Sequence, residues 1–283
     1  MKLERAAKAK INLFLDVGDK REDGFHEIVS IMSAVTLADT VTLTTGGAEG
    51  GVSVVCGAEG LSGRSNLVYT AAESFFSATG IPPRGVRFEI EKKIPIAGGL
   101  AGGSADAAAA LLLLNEAYGY PLDEGQLSTV GANLGSDVPF CIAGGTCLAR
   151  GRGEKLEPVG SKCRFDILIA NGGEGVSTRY AYGALDEAGE RERRAPDRLL
   201  ACLENGDADG AAAELFNSFE TVVIGSHPEA TQARRIMKEN GGAALLCGSG
   251  PSVFAVFRDR ASRTRTAGIL REKGFRVFEC ETE

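Results

Sequence analysis

A glycine-rich segment in the N-terminal half of the chain decides its fold: Gly98-Gly99-Leu100-Ala101-Gly102-Gly103-Ser104-Ala105-Asp106-Ala107-Ala108. Glycines let a backbone approach a ligand closely, and the Ala- and Leu-rich residues that follow predict a buried helix over 104–118 with Ser104 as its N-cap. The backbone N–H groups and the positive dipole end at a helix start attract anions. The segment therefore favours a phosphate-binding loop, with a flexible turn capped by Ser104 as the alternative.

This loop differs from the two best-known phosphate-binding loops. A Walker loop reads G-x-x-x-x-G-K-[ST], but no lysine follows the last glycine here. A dinucleotide loop is followed about 20 residues later by an acidic residue that closes a strand, and the chain has no such residue at that place. The loop therefore belongs to neither class.

Hydrophobic periodicity predicts an α+β fold. Residues 5–17 alternate as in a strand, which places Lys8, Lys10 and Asn12 on one face. Further strands are predicted over 41–45, 52–56, 86–91, 140–150, 165–170, 243–247, 253–257 and 275–279. Helices are predicted over 66–78, 104–118, 123–134, 177–188, 207–216, 227–239 and 259–272, the third starting at Asp123 with Gln126 completing its cap.

A cluster of glycine, proline and charged residues over 151–162 predicts a boundary between two lobes. We place an N-terminal lobe at 1–158 and a C-terminal lobe at 159–283. In the second lobe the helices alternate with strands that suit antiparallel pairing, which favours an α+β sandwich.

Charge and cysteine usage limit the partners. A net charge of −7 argues against binding to nucleic acid or to an anionic membrane, since both need a dense basic surface. The longest apolar run, 107–114, is shorter than the roughly 18 residues of a membrane span. Seven cysteines without a C-x-x-C pair indicate reduced thiols in a cytoplasmic protein. A weak homodimer is left open.

Four segments together resemble the GHMP kinases, the family named for galactose, homoserine, mevalonate and phosphomevalonate kinases. Pro95, the segment 98–108 and Asn115 are similar to its phosphate-binding motif. Residues 9–15 with 21–27, residues 134–140 and residues 248–255 match three further motifs, so that the resemblance spans nearly the whole chain. The loop departs from the pattern at Ala101, where glycine is usual, and at Ala105, where serine is usual.

The resemblance implies a two-lobed GHMP kinase fold, with an N-terminal nucleotide-binding lobe and a C-terminal α/β sandwich lobe. It implies ATP and Mg²⁺, with Asp137 as the general base that takes the hydroxyl proton and Lys10 as the cation that keeps it ionised. By themselves, these residues fit an Asx-turn before Val138-Pro139 and a solvated strand lysine.

The same resemblance implies a set of nucleotide-binding residues: Asn66, Lys92, Pro95, Gly98, Gly99, Leu100, Ala101, Gly102, Gly103, Ser104 and Ala105. Ser104 is also the candidate for a hydroxyl contact with Mg²⁺. Two other readings stay open, a helix N-cap for Asn66 and an exposed charge at a strand end for Lys92. Asp106 is interpreted as a favourable charge near the helix dipole.

For the acceptor, the resemblance implies contacts with a cytidine diphosphate group from Asn12, Phe25, His26, Thr178 and Tyr182. Two aromatic rings can sandwich a pyrimidine while a histidine reads its polar edge, although core packing explains such rings as well. The expected reaction is phosphorylation of the 2-hydroxyl of a methylerythritol linked to cytidine diphosphate, in isoprenoid precursor synthesis without mevalonate.

Two alternatives to this reaction stay open. One is another small-molecule GHMP kinase of the homoserine or mevalonate type, against which the segment 23–27 argues. The other is a catalytically silent binding protein, against which Lys10 and Asp137 argue. The glycines of segment 248–251 suit either close approach to a ligand or a tight turn.

Overall fold

The computed structural model describes residues 1–47, 50–173, 175–189 and 192–283. Its strands are β1 (Lys2–Lys20), β2 (His26–Thr44), β3 (Val52–Cys56), β4 (Val86–Glu91), β5 (Thr146–Arg150), β6 (Lys155–Pro158), β7 (Asp166–Asn171), β8 (Phe216–Asn217), β9 (Ala243–Leu246), β10 (Val253–Phe257) and β11 (Arg276–Glu281). Its helices are α1 (Leu67–Thr79), α2 (Gly102–Ala117), α3 (Glu124–Leu134), α4 (Val138–Ala143), α5 (Thr178–Glu187), α6 (Asp197–Asn205), α7 (Ala208–Ala213), α8 (Glu220–Val223), α9 (Pro228–Glu239) and α10 (Arg260–Glu272).

The chain forms two units that interleave along the sequence. The first unit holds residues 1–9, 38–94 and 101–144, and the second holds 10–37, 95–100 and 145–283. Strands β1 and β2 contribute residues to both units, and the glycine-rich loop passes from the second unit to the first after Leu100. The predicted boundary between residues 158 and 159 stays a prediction, because these units do not follow a single cut of the chain.

In the first unit, helices cover one face of a sheet. Strand β4 pairs in parallel with β3 and antiparallel with the second half of β2, where Val41 lies opposite Ile90. Helix α2 packs against α1, α3 and α4, and its alanines and leucines are buried almost all round, as the sequence predicts. Phe75 and Phe88 are fully buried in this core. The start of α2 is thereby held in place by the apolar packing of the rest of the helix.

The second unit contains an antiparallel sheet in the order β11-β7-β10-β9. Helices α9 and α10 pack on this sheet and bury an apolar cluster that includes Leu168, Val253 and Leu270. Strand β5 pairs with β6 and with the first half of β2, while β1 pairs in parallel with β8. The predicted α+β class is confirmed.

Several predicted elements have different limits in the structure. Residues 140–150 do not form one strand, because Pro139 at the first turn starts α4 and Gly144 and Gly145, both at positive φ, separate it from β5. Strand β2 starts at His26, well before the predicted 41–45, and α7 ends at Ala213 so that Phe216 lies in β8. The charged run before residue 198 leads into α6, which the sequence did not predict.

The predicted helix caps are confirmed in two of three cases. Asn66 accepts a hydrogen bond from the Val68 amide and caps α1, and Asp123 and Gln126 form a capping box at α3. The N-cap prediction for Ser104 is wrong, since α2 begins at Gly102 and its N-cap is Ala101. Within the described residues, no helix is long and apolar enough to cross a membrane. The cytoplasmic location stays a prediction.

Candidate active site

Residues 95–100 lead into the glycine-rich loop and form its first part. They pack against the turn 247–252, and both segments belong to the second unit. Gly99 has a φ of 76°, and a Cβ there would lie 2.0 Å from the Cys247 carbonyl oxygen. A Cβ on Gly98 would lie 2.8 Å from the Ser252 hydroxyl. Only glycine fits at Gly99, because every other residue would collide with the backbone behind the loop. The glycine motif 248–251 thus forms a turn that supports the loop.

The side chain of Asn217 fixes this turn through hydrogen bonds. Its buried side-chain amide donates to the carbonyls of Leu246 at 2.9 Å and Gly248 at 2.8 Å. Its Oδ1 accepts from the Phe219 amide at 2.9 Å. The turn therefore has a fixed position relative to β8 and β9, and so has the loop half that lies on it.

The second half of the loop, residues 101–105, begins α2 in the first unit. Ala101 has a φ of 57°, in the left-handed region where an L-residue with a Cβ loses about 1–2 kcal/mol. This strain gives the physical reason why glycine is usual at this position. Gly103 is exposed, and apart from its chain neighbours and the adjacent backbone of α2, no atom of the described residues lies within 4 Å of the position that its Cβ would take. The backbone at Gly103 is thus open to a ligand.

A buried ion cluster lies beneath the start of α2. The Lys92 ammonium donates to Asp106 Oδ2 at 2.6 Å and to Asp39 Oδ2 at 2.5 Å, while Asp39 Oδ1 accepts from the amides of Lys93 and Ile94. The Lys92 side chain is only 11% exposed, so the reading of an exposed strand-end charge is wrong. A Cβ on Gly102 would lie 3.3 Å from this ammonium. The cluster therefore connects β2 and β4 to the loop.

Burial and neighbouring charges shift the pKa values of Asp106 and Lys92 in opposite directions. Burial raises the pKa of Asp106 to about 7, although the neighbouring Lys92 lowers it. Burial by itself lowers the pKa of Lys92, but the Asp106 and Asp39 carboxylates together hold it above its ordinary value. Asp106 Oδ1 is buried and has no partner among the described residues. Asp106 is thus an ion-pair partner at the loop, rather than only a charge near the helix dipole.

Ser104 and Asp137 lie on neighbouring elements of the first unit. A Cβ on Gly135, two residues before Asp137, would lie 3.8 Å from the Ser104 hydroxyl. Asp137 is half-buried and precedes α4, but its carboxylate makes no capping hydrogen bond to this helix, all of whose residues are described. The alternative of an Asx-turn at the start of α4 is therefore wrong.

Lys10 is buried in the second unit, so the alternative of a solvated strand lysine is wrong. Its ammonium donates to Asn12 Oδ1 at 2.8 Å, and Asn12 Nδ2 in turn donates to the Ser30 hydroxyl at 2.9 Å. Ser30 donates to the Phe14 carbonyl at 2.7 Å. Asn12 is itself buried, and this chain of hydrogen bonds orients the Lys10 cation.

Besides Asn12, the predicted acceptor residues lie at three places within the second unit. His26 stacks on Tyr182 with ring centroids 4.8 Å apart, and Tyr182 meets Phe219 edge to face. Phe25 is 49% exposed, and the Arg152 guanidinium lies 4.7 Å from its ring centroid. Thr178 is exposed at the start of α5, with its hydroxyl 3.3 Å from that of Ser249. One face of Tyr182 is therefore covered by His26, whereas Phe25 presents a ring to solvent.

Some residues of these clusters were not found from the sequence. Asp39 gives a weak signal, because it is a single charged residue in the strand-like run Leu37-Ala38-Asp39-Thr40-Val41. Asp186 and Asn217 lie in ordinary polar positions of a helix and a short strand, and no local pattern distinguishes them. Arg152 lies in the segment that the sequence indicates as a boundary between lobes.

Comparison with known proteins places this glycine-rich loop and fold in a known class. The GHMP kinases N terminal domain model matches residues 66–145, and the GHMP kinases C terminal model matches residues 199–275. Relatives more than 30% identical cover nearly the entire chain. The chain belongs to the GHMP kinase family.

Two relatives at 37–41% identity carry the name 4-diphosphocytidyl-2-C-methyl-D-erythritol kinase. The protein of that name from Desulfitobacterium hafniense is 37% identical over 99% of this chain and 96% of its own length. The one from Moorella thermoacetica is 41% identical over 94% of each chain. A crystal structure of 4-(cytidine 5'-diphospho)-2C-methyl-D-erythritol kinase has a TM-score of 0.84 and 33% identity, covering 99% of both chains.

Other structures share the fold at lower identity. The homoserine kinase from Cytophaga hutchinsonii has a TM-score of 0.77 and 18% identity, and covers 100% of this chain and 94% of its own. At this identity the likeness shows the fold alone. The prediction of a GHMP kinase fold is confirmed.

Proposed function

We propose that this protein transfers the γ-phosphoryl group of ATP to the 2-hydroxyl of 4-diphosphocytidyl-2-C-methyl-D-erythritol, in the mevalonate-independent route to isoprenoid precursors. The observation that carries the proposal is full-length similarity, at 37–41% identity, to relatives of that name. The open backbone at Gly103, at the start of a buried helix, is what a phosphate-binding loop requires.

The ATP phosphates lie on the loop 98–105 in this proposal. Gly103 and Ser104 offer backbone N–H groups in the first turn of α2, where helical N–H groups have no partner within the helix. Leu100 is buried and anchors the loop, while the side-chain amide of Asn66 is engaged with Leu61 and Val68. Asn66 and Lys92 therefore contribute by shaping the site. Gly98 and Gly99 lie against the turn 247–252 within the second unit.

Mg²⁺ accompanies ATP on its phosphates in this proposal. Within the described residues no group of three or more His, Cys, Asp or Glu side chains is placed to hold a metal ion. Mg²⁺ is commonly bound through substrate phosphates with few protein ligands, which fits a site of this kind. The Ser104 hydroxyl, in the first turn of α2, is the protein oxygen suited to such a contact. The ion neutralises charge on the phosphates when bound.

Asp137 and Lys10 have two different roles in this proposal, as proton acceptor and as positive charge. Phosphoryl transfer to an alcohol needs a group that accepts the hydroxyl proton, and the Asp137 carboxylate, at the start of α4, is suited to this role. The buried Lys10 ammonium, oriented by Asn12, supplies a fixed positive charge for the transferring group. Both roles are proposed from the family resemblance together with these local geometries.

An acceptor screen tests the function. Purified protein with Mg·ATP is given the cytidine diphosphate-linked methylerythritol, free methylerythritol, homoserine and mevalonate, and ADP release is measured. We expect turnover with the first compound and very little with the others, because binding energy on the cytidine diphosphate positions the reacting hydroxyl. Preferred turnover of homoserine or mevalonate would support another GHMP activity. Binding of ATP and acceptor without turnover would support a silent binding protein.

The loop assignment leads to a prediction for Gly103. Replacing Gly103 by Val puts a branched side chain into the open space, where phosphate oxygens would approach the backbone. We expect the Kd for ATP, measured by calorimetry, to rise at least about tenfold, with melting temperature and acceptor binding almost unchanged. Gly268→Val, in α10, is the control, since Gly268 is also helical and open. An unchanged Kd for ATP would mean that the loop is only a turn.

Phe25 provides a test of pyrimidine stacking. Its ring is half exposed, so Phe25→Ala should cost little stability, yet it should weaken acceptor binding by about 1–3 kcal/mol if the base stacks there. Tyr180→Ala is the matched control, because Tyr180 is 52% exposed on α5. The acceptor KM and the melting temperature are measured for both. Equal KM values for the two variants would contradict a stacking role for Phe25.

A further inference from the structure

The imidazole of His26 is held by two side chains of a single helix. Nε2 of His26 lies 2.8 Å from Asp186 Oδ1, and the ring of Tyr182 stacks on its face at 4.8 Å. Tyr182 and Asp186 are four residues apart on α5, a spacing that places them on the same helix face. The orientation of the imidazole is therefore set by the protein before a ligand binds.

The Asp186 contact decides which nitrogen of His26 carries the proton. An ionised carboxylate only accepts hydrogen bonds, so Nε2 must be the N–H donor. In the neutral ring Nδ1 is then an acceptor. Within the described residues Nδ1 has no hydrogen-bond partner, and it is not among the polar atoms shielded from solvent. His26 thus presents a hydrogen-bond acceptor of fixed orientation.

An acceptor at this position distinguishes the two common pyrimidines. The 4-position of cytosine carries an amino group that donates, whereas uracil carries a carbonyl oxygen that accepts. An Nδ1 acceptor pairs with the cytosine amino group and faces the uracil oxygen without a proton between them. A buried polar group without a hydrogen-bond partner costs much more binding free energy than a lost apolar contact.

We infer that Asp186 is a specificity-determining positioning residue, which selects cytidine over uridine in the acceptor by holding His26 in the tautomer whose Nδ1 accepts. This inference rests on the proposed function for the identity of the base. It assigns to Asp186 no contact with the substrate. A purely structural role of Asp186 in packing α5 would lower stability, but it would not change the preference between two bases.

The test compares cytidine- and uridine-diphosphate-linked methylerythritol as acceptors. We measure kcat/KM for both with wild type, with Asp186→Asn and with Glu187→Gln, an exposed carboxylate next in the same helix. An asparagine amide can donate to Nε2 and so leave Nδ1 protonated. Asp186→Asn should therefore reduce the cytidine preference by at least about tenfold, with the KM for ATP unchanged. Glu187→Gln should keep the wild-type preference.

Binding of CDP and UDP without ATP separates this inference from the proposed function, because calorimetry needs no turnover. If wild type phosphorylates neither acceptor but binds CDP over UDP, and Asp186→Asn removes that preference, the inference stands and the proposed reaction fails. Asp186→Glu retains the accepting carboxylate and should restore part of the preference, even if the asparagine variant is less stable. A preference in Asp186→Asn within about twofold of wild type would overturn the inference.

Discussion

Asp137→Asn is expected to lower kcat by about 10²–10⁴-fold, because an amide cannot accept the proton of the reacting hydroxyl. The substitution keeps the shape of the side chain. We therefore expect the variant to fold with little change in structure, and urea denaturation measures the change in its free energy of unfolding. The KM for ATP should also change little.

Asp123→Asn is the matched control for this variant. Asp123 also stands at the start of a helix of the first unit, but it uses its carboxylate to cap α3, a role that asparagine fills equally well. Steady-state kinetics and urea denaturation of both variants are measured together. Wild-type kcat in Asp137→Asn would remove Asp137 from the reaction, and equal losses in both variants would indicate a general effect on folding.

Lys92→Met is expected to destabilise the first unit by about 3–5 kcal/mol, the usual result of removing one partner from a buried ion pair. The methionine stem fills similar space, but Asp39 and Asp106 then have no cation beside them, and the Asp39 side chain is fully buried. Because the Lys92 ammonium lies beneath Gly102, the folded fraction of the variant should also bind ATP more weakly. Urea denaturation and calorimetry measure the two effects.

Lys93→Met is the control, since its side chain is 55% exposed and its ion pair with Glu91 spans 3.6 Å at the surface. Surface pairs of this kind contribute about 0–1 kcal/mol. A loss of stability in Lys92→Met no larger than that in Lys93→Met would show that the cluster does not stabilise the loop.

The cluster also predicts a pH dependence. The pKa of Asp106 is raised from 3.8 to about 7 on folding, so the folded state binds the proton more tightly than the unfolded state. The contribution of Asp106 to stability is therefore present below pH 4 and is lost as pH rises from about 4 to 7. Asp106→Asn should remove this dependence. A pH profile of unfolding that is identical in wild type and Asp106→Asn would contradict the assignment.

The sequence by itself determined the class of the protein and much of its secondary structure. Glycine spacing before an Ala/Leu-rich helix indicates a phosphate loop, and the prediction of the GHMP kinase family is confirmed by the family models and relatives. Caps at Asn66 and Asp123 are likewise local patterns that were read correctly. The roles assigned to the individual site residues stay predictions, which the variants above test.

Local sequence patterns predicted the wrong secondary structure where the propensities of neighbouring residues conflict. Residues 140–143, Phe-Cys-Ile-Ala, have the apolar character of a strand, yet Pro139 and the packing of α4 against α2 and α3 make them helical. Ser104 has the chemistry of an N-cap, but the left-handed Ala101 already starts the helix three residues earlier. In both places the tertiary arrangement overrides the propensity of the residue type.

Only the tertiary structure decided which side chains act together. Lys92 meets Asp39 across 53 residues of sequence, His26 meets Asp186 across 160, and Asn217 reaches the Gly248 turn across 31. No periodicity or motif encodes these pairs, because each contact arises from the order and register of strands and helices that are distant along the chain. The sequence specifies the backbone of the glycine-rich loop through local conformation, whereas the partners of the charged side chains around it depend on long-range packing.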